Sequence, residues 1–309
     1  MSGQRPNVQN YVIDFPHLAN RIPDVFASVI DTFVATFCPV RHSLGGTKRT
    51  EDYDIEEEIG RGGRGVVYQA IQKSIGRKVA VKVRFLSRDN LFEGARNVAE
   101  LNHPNICKIY DAGKIGEFPF VAMQLIRGES LRETLSKKRL PIDDSVAIVI
   151  QIADALATAH LSNLAHCDVK PENVLINDDG TAWIMDLGLA RKQSEVTAES
   201  SRLPEFSPNY CAPEQLSFQY GECGFISDIY SLGLVLYELL TGRRAYHGDL
   251  EEVIDQIKHD PPRRLTDYDP TIPHVLEEIC LKAIMKQPED RFESMAEFHD
   301  ALRACPLRS

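Results

Sequence analysis

The chain has 309 residues, of which 43% are hydrophobic and 26% charged, and its formal net charge is −10. This length allows one large domain or two modest ones, and the composition argues against a mostly disordered or fibrous chain. Because phosphate backbones and anionic lipids attract cationic surfaces, an acidic chain is also a poor candidate for general binding to nucleic acids or membranes.

Seven cysteines are widely spaced along the chain, and none of them forms a C-x-x-C pair. This pattern disfavours a disulfide framework or a thiolate zinc site and indicates separate thiols in a reducing compartment. The N-terminal residues show no signal-peptide pattern, and the most apolar stretch, residues 25–37, is too short to span a bilayer. We therefore predict a cytoplasmic protein without a membrane span.

Residues 1–50 differ in character from the rest of the chain and are predicted to form an N-terminal extension. They carry five Lys or Arg and three Asp residues, so the excess of acidic side chains lies in the remainder. Phe26, Ile30, Phe33 and Phe37 recur at helical spacing, which predicts one amphipathic helix, followed by a linker. We favour packing of this helix on the main domain over docking to a partner or a membrane surface.

From residue 52 onward the predicted elements are first strands and then helices. Residue patterns predict strands over 53–59, 66–71, 78–83, 106–110 and 118–125, interrupted by one helix over 91–101. After Gly128, apolar periodicity predicts helices over 145–161, 229–240, 275–285 and 294–302. A β-rich part followed by a helix-rich part is an α+β organisation.

A glycine-rich segment joins the first two predicted strands. It contains Gly60, Gly62 and Gly65, and the Val66-Val67 pair that follows favours a second strand over the helix of a dinucleotide-binding motif. In such a hairpin the missing side chains let backbone N–H groups lie over a polyphosphate. An ordinary hairpin turn is the alternative.

A lysine follows in the third predicted strand, where Lys82 stands after Val79, Ala80 and Val81. An ammonium group within an apolar strand is costly unless it meets an anion. Next to a phosphate-covering hairpin, that anion would be the phosphates of a nucleotide. The alternative is a lysine on the solvent face of the strand.

A third segment decides between these alternatives. It reads HCDVKPEN at residues 166–173 and is followed by DLG at 186–188 and APE at 212–214. Phosphoryl transfer requires a carboxylate that accepts the hydroxyl proton, a cation near the transferred group and oxygen ligands for magnesium. Asp168, Lys170, Asn173 and Asp186 supply these groups in the required order.

With these motifs, the chain from Asp52 to about Leu302 resembles the eukaryotic-type protein kinase superfamily. The phrases LNHPNI at 101–106 and PEDRF at 288–292 are similar to those of bacterial Ser/Thr kinases. The resemblance implies a bilobal protein-kinase fold over residues 51–304. A small β-rich N-lobe with one main helix would occupy about 51–126, and a larger α-helical C-lobe about 127–304, with ATP between them.

The resemblance also implies the cofactors, the substrate and the catalytic roles. ATP and Mg²⁺ would be bound, and the partner would be a protein substrate with a Ser or Thr acceptor. Asp168 would be the catalytic base with Lys170 alongside it, and Asn173 and Asp186 would bind the metal. Lys170 and Ser207 match the pattern of Ser/Thr rather than tyrosine kinases. The oligomeric state is left open.

The nucleotide site implied by the resemblance combines apolar contacts to the adenine with contacts to the phosphates. Val67, Ala80 and Leu175 would sandwich the adenine, with Met123 as the gatekeeper. The whole predicted set comprises Ile59, Gly60, Gly62, Gly65, Val67, Ala80, Lys82, Met123, Leu175 and the backbone of Gln124 and Ile126.

Three further residues match structural positions of the family. Glu214 and Arg291 match a buried ion pair in the large lobe, and Asp228 matches the residue that braces the catalytic loop. Removing one partner of such a pair would leave a buried charge without its counter-ion.

The first departure from the family pattern concerns the partner of Lys82. Gly94 stands where the helix glutamate is expected, and Glu93 is one residue away, which corresponds to a rotation of about 100° on a helix. Either Glu93 serves through a local distortion, or the ion pair that orders the active state is absent.

The remaining departures lie in the catalytic loop and the activation segment. Cys167 replaces the arginine of H-R-D, which suggests that activity does not depend on an activation-segment phosphate by the usual route. Cys167 is either a redox-sensitive thiol or a small apolar residue that packs in the loop, and we favour the second interpretation. Leu187 replaces the phenylalanine of D-F-G, and Phe206 replaces a common glycine.

Three functions are consistent with these residues. We favour an ATP- and Mg²⁺-dependent Ser/Thr protein kinase that phosphorylates itself as well. The alternative is a pseudokinase or nucleotide-binding scaffold, supported by Gly94. A small-molecule or lipid phosphotransferase is the third hypothesis, and it fits the APE segment and Ser207 less well.

Overall fold

The structure is a computed structural model that describes residues 52–62, 65–84, 91–115, 118–187, 191–192 and 208–306. The helix and linker predicted within residues 1–50 lie outside the described residues. Contacts divide the chain into two compact units, residues 1–89 with 109–125 and residues 90–108 with 126–309.

The first unit contains one antiparallel sheet of five strands. In chain order the strands are β1 Tyr53–Gly62, β2 Gly65–Gln72, β3 Arg77–Arg84, β4 Ile109–Ile115 and β5 Phe118–Gln124. Their spatial order is β1-β2-β3-β5-β4. Gly62 is the register partner of Gly65, so a strand follows the glycines. This confirms the glycine-rich hairpin and excludes the dinucleotide-binding motif.

One face of this sheet buries an apolar sheet cluster. Tyr53 and Phe120 meet edge to face with ring centroids 5.7 Å apart. β-branched residues are favoured in strands because they pack well on a pleated surface. The members of the apolar sheet cluster are Tyr53, Ala70, Val79, Val81, Val83, Ile115, Phe120 and Ala122.

The second unit is mainly helical. Its most buried helix lies at residues 225–241, and every residue from Ser227 to Thr241 is buried, as its nearly continuous apolar sequence predicts. The helices are α1 Leu91–Ala99, α2 Leu131–Lys137, α3 Ile142–Leu161, α4 Pro213–Leu216, α5 Phe225–Thr241, α6 Leu250–His259, α7 His274–Ala283 and α8 Met295–Ala304.

Local signals set the ends of several helices. Ser294 Oγ accepts a hydrogen bond from the N–H of Glu297 at 3.1 Å, so Ser294 caps α8, which begins one residue after the predicted start. Helix α5 ends at Gly242, which has a φ of +69°. A left-handed residue at this position favours glycine, which has no Cβ.

Short strands complete the second unit. They are β6 Glu129–Ser130, β7 Leu164–Ala165, β8 Val174–Ile176, β9 Ala182–Ile184 and β10 Arg191–Lys192. β8 lies between β6 and β9, and β10 pairs with β7. Between β7 and β8 the chain forms a loop that ends in a 3₁₀ turn, Pro171–Asn173.

The strand predicted over residues 106–110 is misplaced. Ile106 forms only an isolated bridge with Ile184, and the N–H of Cys107 donates to the Ile184 carbonyl at 3.2 Å. Strand β4 begins three residues later, at Ile109. One apolar run is therefore divided between a bridge in the second unit and a strand in the first.

Among the described residues, no helix is long and apolar enough to cross a membrane.

Candidate active site

One buried carboxylate holds the loop that carries the predicted catalytic residues. Asp228, in the first turn of α5, is fully buried. Its Oδ2 accepts a hydrogen bond from the N–H of His166, and its Oδ1 accepts one from the N–H of Cys167, both at 2.8 Å. His160 Nε2 also lies 2.8 Å from Oδ2. A buried carboxylate needs such partners, and these contacts confirm that Asp228 braces the loop.

The backbone of the loop turns sharply at Cys167, whose φ is +58°. Residues other than glycine rarely adopt this backbone conformation, which persists where surrounding contacts hold it. Besides the bond from its N–H to Asp228, Cys167 accepts a hydrogen bond on its carbonyl from Gln215 Nε2 at 3.0 Å. His166 Nε2 lies 2.9 Å from the Met185 carbonyl. The turn is therefore fixed from both sides.

Asp168 stands at the centre of the loop and is half-buried. Its Oδ1 accepts a hydrogen bond from Lys170 Nζ at 2.8 Å, and its Oδ2 accepts one from Asn173 Nδ2 at 3.1 Å. The same Nδ2 donates to the Asp168 carbonyl at 2.8 Å, and the N–H of Asp168 donates to His166 Nδ1 at 3.2 Å. The structure thus brings together the predicted base, cation and amide.

The two predicted metal ligands lie at one end of a small hairpin. Val174 of β8 is the register partner of Ile184 of β9, and the N–H of Met185 donates to the Asn173 carbonyl at 2.8 Å. Asp186 follows directly, with a φ of +60°. Since Asn173 Nδ2 is directed to Asp168, its amide oxygen is the atom suited to a metal.

The oxygen atoms of Asn173 and Asp186 suit a cation that takes few ligands from the protein. Within the described residues there is no group of three or more His, Cys, Asp and Glu side chains that could hold a metal. Mg²⁺ commonly takes one or two protein oxygen ligands and completes its shell with water and substrate phosphates. A carboxylate at Asp186 and an amide oxygen at Asn173 match that requirement.

In the first unit, strand register places predicted nucleotide-binding residues on one face of the sheet. Gly60 is paired with Val67, Val67 with Lys82, and Ala80 with Met123. Residues directly opposite each other, or two apart on one strand, share a face. The sheet therefore aligns these five residues on the face opposite to the apolar sheet cluster.

Close packing of β2 against β3 explains why position 65 is a glycine. A Cβ at this position would lie 2.1 Å from the carbonyl oxygen of Val83, whereas at Gly60 the nearest atom, in Val67, would be 3.9 Å away. Any larger residue at position 65 would force β2 and β3 apart. Residues 63–64 lie outside the described part of the chain.

The other predicted nucleotide-binding residues are divided between the two units. Ile59 of β1 is 46% exposed, and Gln124 ends β5 in the first unit. Ile126 and Leu175 belong to the second unit and are both half-buried. Leu175 is paired with Ser130 and Trp183 in the small sheet.

A second buried charge cluster links α4 to the segment before α8. Arg291 Nη1 donates to Glu214 Oε1 at 2.7 Å, and Nη2 donates to Oε2 at 2.8 Å. Ser227 Oγ also donates to Oε1 at 2.7 Å. Two parallel bonds between a guanidinium and a carboxylate form a strong, directional ion pair. The predicted buried ion pair is thereby confirmed.

Comparison with known proteins identifies the family. The family model described as Protein kinase domain matches residues 53–301. The chain belongs to the protein kinase family. This membership confirms the protein-kinase fold class expected from the motifs, and it implies ATP as a substrate and a divalent metal.

Bacterial kinases are among the relatives. The chain is 36% identical to the serine/threonine-protein kinase PknL of Mycobacterium tuberculosis over 252 residues, which cover 78% of this chain and 62% of that protein. It is 34% identical to PrkC of Bacillus subtilis, another serine/threonine-protein kinase, over 261 residues that cover 81% of this chain and 40% of PrkC. The chain thus spans less than two thirds of these relatives.

Two departures from the kinase pattern concern the helix residues Gly94 and Glu93 and the apolar residue Leu187. Gly94 is buried within α1. The side chain of Glu93 lies outside the described part, so its pairing with Lys82 stays a prediction. Leu187, in place of phenylalanine, is buried, as expected for an apolar plug.

The predictions for the activation segment fall on residues that the structure does not describe. They concern Gly188, Phe206 and Ser207 and the Ser/Thr cluster at positions 194, 197, 200 and 201.

Sequence reasoning missed three residues that support the loop of Asp168. His160 contacts Asp228, Gln215 donates to Cys167, and Cys223 places its sulfur 3.3 Å from that of Cys167. Gln215 directly follows the APE segment, and this position was the only available signal. The other two have no local motif, because their partners lie more than 50 residues away along the chain.

Proposed function

We propose that this chain is an ATP- and Mg²⁺-dependent Ser/Thr protein kinase that phosphorylates proteins, itself included. The observation that carries the proposal is the arrangement at Asp168, whose carboxylate lies 2.8 Å from Lys170 Nζ and 3.1 Å from Asn173 Nδ2. The relatives PknL and PrkC are both named serine/threonine-protein kinases, which supports Ser and Thr as acceptors.

Asp168 is suited to accept the proton of a substrate hydroxyl. Both of its oxygen atoms are held by hydrogen bonds, so the carboxylate has a fixed direction before the substrate arrives. Lys170 carries a positive charge next to it, which offsets negative charge on the transferred phosphoryl group. The base and the cation lie 2.8 Å apart, so a phosphoryl group transferred to a hydroxyl at Asp168 would lie near the Lys170 ammonium.

Asn173 and Asp186 would hold Mg²⁺. When bound, the metal neutralises phosphate charge and orients the phosphates for transfer. Asn173 has a second task in this arrangement, because its amide nitrogen holds the Asp168 carboxylate while its oxygen would face the metal. A change at Asn173 would therefore affect both the base and the metal.

The nucleotide would be held by residues predicted from the kinase pattern. The phosphates would meet Lys82 and the backbone of the glycine hairpin, since an ammonium and N–H groups both stabilise anions. Val67 and Ala80 share the sheet face of Lys82, which supports a role for all three in one ligand site. The remaining members of the set are Ile59, Gly60, Gly62, Gly65, Met123, Gln124, Ile126 and Leu175.

The substrate is proposed to be a protein with a Ser or Thr acceptor. The cytoplasmic location and the absence of a nucleic-acid partner stay predictions from the sequence.

The test is a phosphotransfer assay on the full chain with labelled ATP, Mg²⁺ and a generic basic protein. We expect phosphate on the chain itself or on the added protein, and mass spectrometry should locate it on Ser or Thr. Asp168→Asn should lower transfer by about 10²- to 10⁴-fold, as expected for loss of a general base. The matched control Asp255→Asn changes an exposed carboxylate on α6 and should retain full activity.

Nucleotide binding separates loss of chemistry from loss of the fold. ATP with Mg²⁺ should raise the melting temperature of the wild type and of Asp168→Asn equally. If both are silent in the transfer assay over a range of divalent metals while ATP still raises their melting temperatures, the chain is a pseudokinase instead.

A further inference from the structure

Two cysteine sulfur atoms are in contact beside the catalytic loop. Cys223 directs its S–H toward Cys167 Sγ, and the two sulfur atoms are 3.3 Å apart. Cys167 is half-buried and Cys223 is buried, and both are thiols, as are the other described cysteines. Neither thiol has a role in the proposed phosphotransfer.

The fold brings the two cysteines together around the first turn of α5. Cys223 directly precedes Gly224, the N-cap of this helix, while Asp228 in its first turn accepts a hydrogen bond from the N–H of Cys167. Gln215 holds the Cys167 carbonyl from the other side. The contact between the sulfur atoms is therefore produced by the same network that positions the catalytic loop.

We propose that Cys167 and Cys223 form a reversible disulfide when the protein meets a hydroperoxide, and that this bond lowers phosphotransfer. The second half rests on the proposed kinase function. The cysteine pair would thus be a redox modification site. Disulfides that form in reducing compartments are mostly transient or regulatory.

The chemistry requires one peroxide for each bond. The Cys167 thiol loses its proton, and the thiolate attacks hydrogen peroxide. The O–O bond breaks, the departing hydroxide takes up the proton of the thiol as the first water, and Cys167 becomes a sulfenic acid. The sulfur of Cys223 then attacks Cys167 Sγ, the S–O bond breaks, and a second water leaves with the Cys223 proton. Two thiols are oxidised by two electrons in all, and the peroxide is reduced to two waters.

The burial of the two residues assigns these roles. Cys167 is half-buried and so meets the oxidant first, and the buried Cys223 resolves the sulfenic acid. Cys211 is buried nearby, and burial raises the pKa of its thiol well above the ordinary value, with the Asp168 charge adding to this effect. The contact of Cys223 Sγ with Cys167 Sγ at 3.3 Å assigns the resolving role to Cys223.

Bond formation would disturb the catalytic base. A disulfide has an S–S distance of about 2.05 Å, so the two sulfur atoms must approach each other by more than about 1 Å. Cys167 is directly followed by Asp168, whose N–H is bound by His166 and whose carboxylate is bound by Lys170. A misplacement of about 1 Å can reduce catalysis about 100-fold, so the oxidised loop should be a poor catalyst.

The experiment exposes the reduced full chain to hydrogen peroxide, blocks the remaining thiols and maps the peptides by mass spectrometry. We expect a cross-link between the peptides of Cys167 and Cys223. Phosphotransfer should fall by at least about tenfold, and dithiothreitol should restore it. Each protein is compared with its own untreated sample.

Two variants make the test specific. In Cys223→Ser the cross-link should be absent, and Cys167 should accumulate as sulfinic acid, with a loss of activity that dithiothreitol does not reverse. The control Cys305→Ser, at the end of α8, should form the cross-link as the wild type does.

A cross-link to Cys211 instead, or a Cys167 sulfenic acid that persists without any cross-link, would overturn the disulfide. A Cys167–Cys223 cross-link with unchanged activity would overturn its regulatory effect. If the reduced protein transfers no phosphate at all, the proposed function fails, while the peptide map still decides whether the bond forms.

Discussion

The sheet of the first unit is stabilised by an apolar cluster, whereas the second unit buries charged side chains around the loop of Asp168. Among the described residues, Arg84 is the one buried polar or charged side chain of the first unit. The second unit buries Glu214, Asp228 and Arg291, together with several hydroxyl groups.

This difference follows from what each unit must position. Apolar burial is non-directional, so it stabilises a sheet without fixing individual atoms to a fraction of an ångström. Hydrogen bonds to a buried carboxylate are directional and are strong in a low-dielectric interior. The Asp228 carboxylate thus fixes the backbone next to Asp168. We expect the replacement of buried charged residues in the second unit to lower stability more than the replacement of apolar residues in the first.

The largest expected effect comes from Glu214→Ala, which leaves Arg291 buried without its counter-ion. We expect the free energy of unfolding to fall by about 3–5 kcal/mol. Urea denaturation followed by the fluorescence of Trp183, the single tryptophan, reports on the second unit directly.

Two further variants test whether the charge is the cause. The control Asp267→Asn removes an exposed partner of Arg263 and should leave the transition unchanged. The pair Glu214→Leu with Arg291→Met removes both charges and should recover part of the loss. Recovery stays incomplete because Arg291 also donates to the carbonyls of Met285 and Lys286. A loss below about 1 kcal/mol in Glu214→Ala would contradict the importance of the buried pair.

The sequence predicted most of the fold because periodicity and motifs are local signals. Helix α5, for example, begins four residues before and ends one residue after the predicted 229–240. The motif pattern indicated Asp168, Asn173 and Asp228, whose contacts the structure then showed. It could not place Cys223 or His160, since their contacts depend on how distant segments pack. Ile106 was assigned to a strand because an apolar run does not show where a chain leaves one unit for another.

A smaller, pH-dependent effect is expected at Glu277, which is buried in α7. Burial raises the pKa of this carboxyl, but hydrogen bonds from Arg264 and Thr266 outweigh it, and the pKa is lowered to about 2. A carboxylate with a lowered pKa stabilises the folded state above its ordinary pKa of 4.5, and this contribution is lost as the pH falls toward 2. Wild type should therefore be more stable than Glu277→Gln at neutral pH.

The measurement follows the difference between the two proteins, because other carboxyl groups titrate in the same range. Unfolding of wild type and Glu277→Gln is compared by Trp183 fluorescence from pH 7 to about 3. The difference in stability should shrink as the pH falls below 4.5. A difference that stays constant over this range would show that the charge of Glu277 contributes nothing.

The smallest effect is expected in the first unit, where Phe120→Leu keeps an apolar side chain in the apolar sheet cluster. The change removes the edge-to-face contact with Tyr53, and such aromatic pairs contribute about 0.5–1.5 kcal/mol beyond their area. Hydrogen exchange of the β3 and β5 amides should accelerate accordingly, while Trp183 fluorescence at neutral pH stays unchanged. A loss as large as that of Glu214→Ala would contradict the contrast between the two units, because it would show that the sheet depends on one specific contact as strongly as the helical unit does.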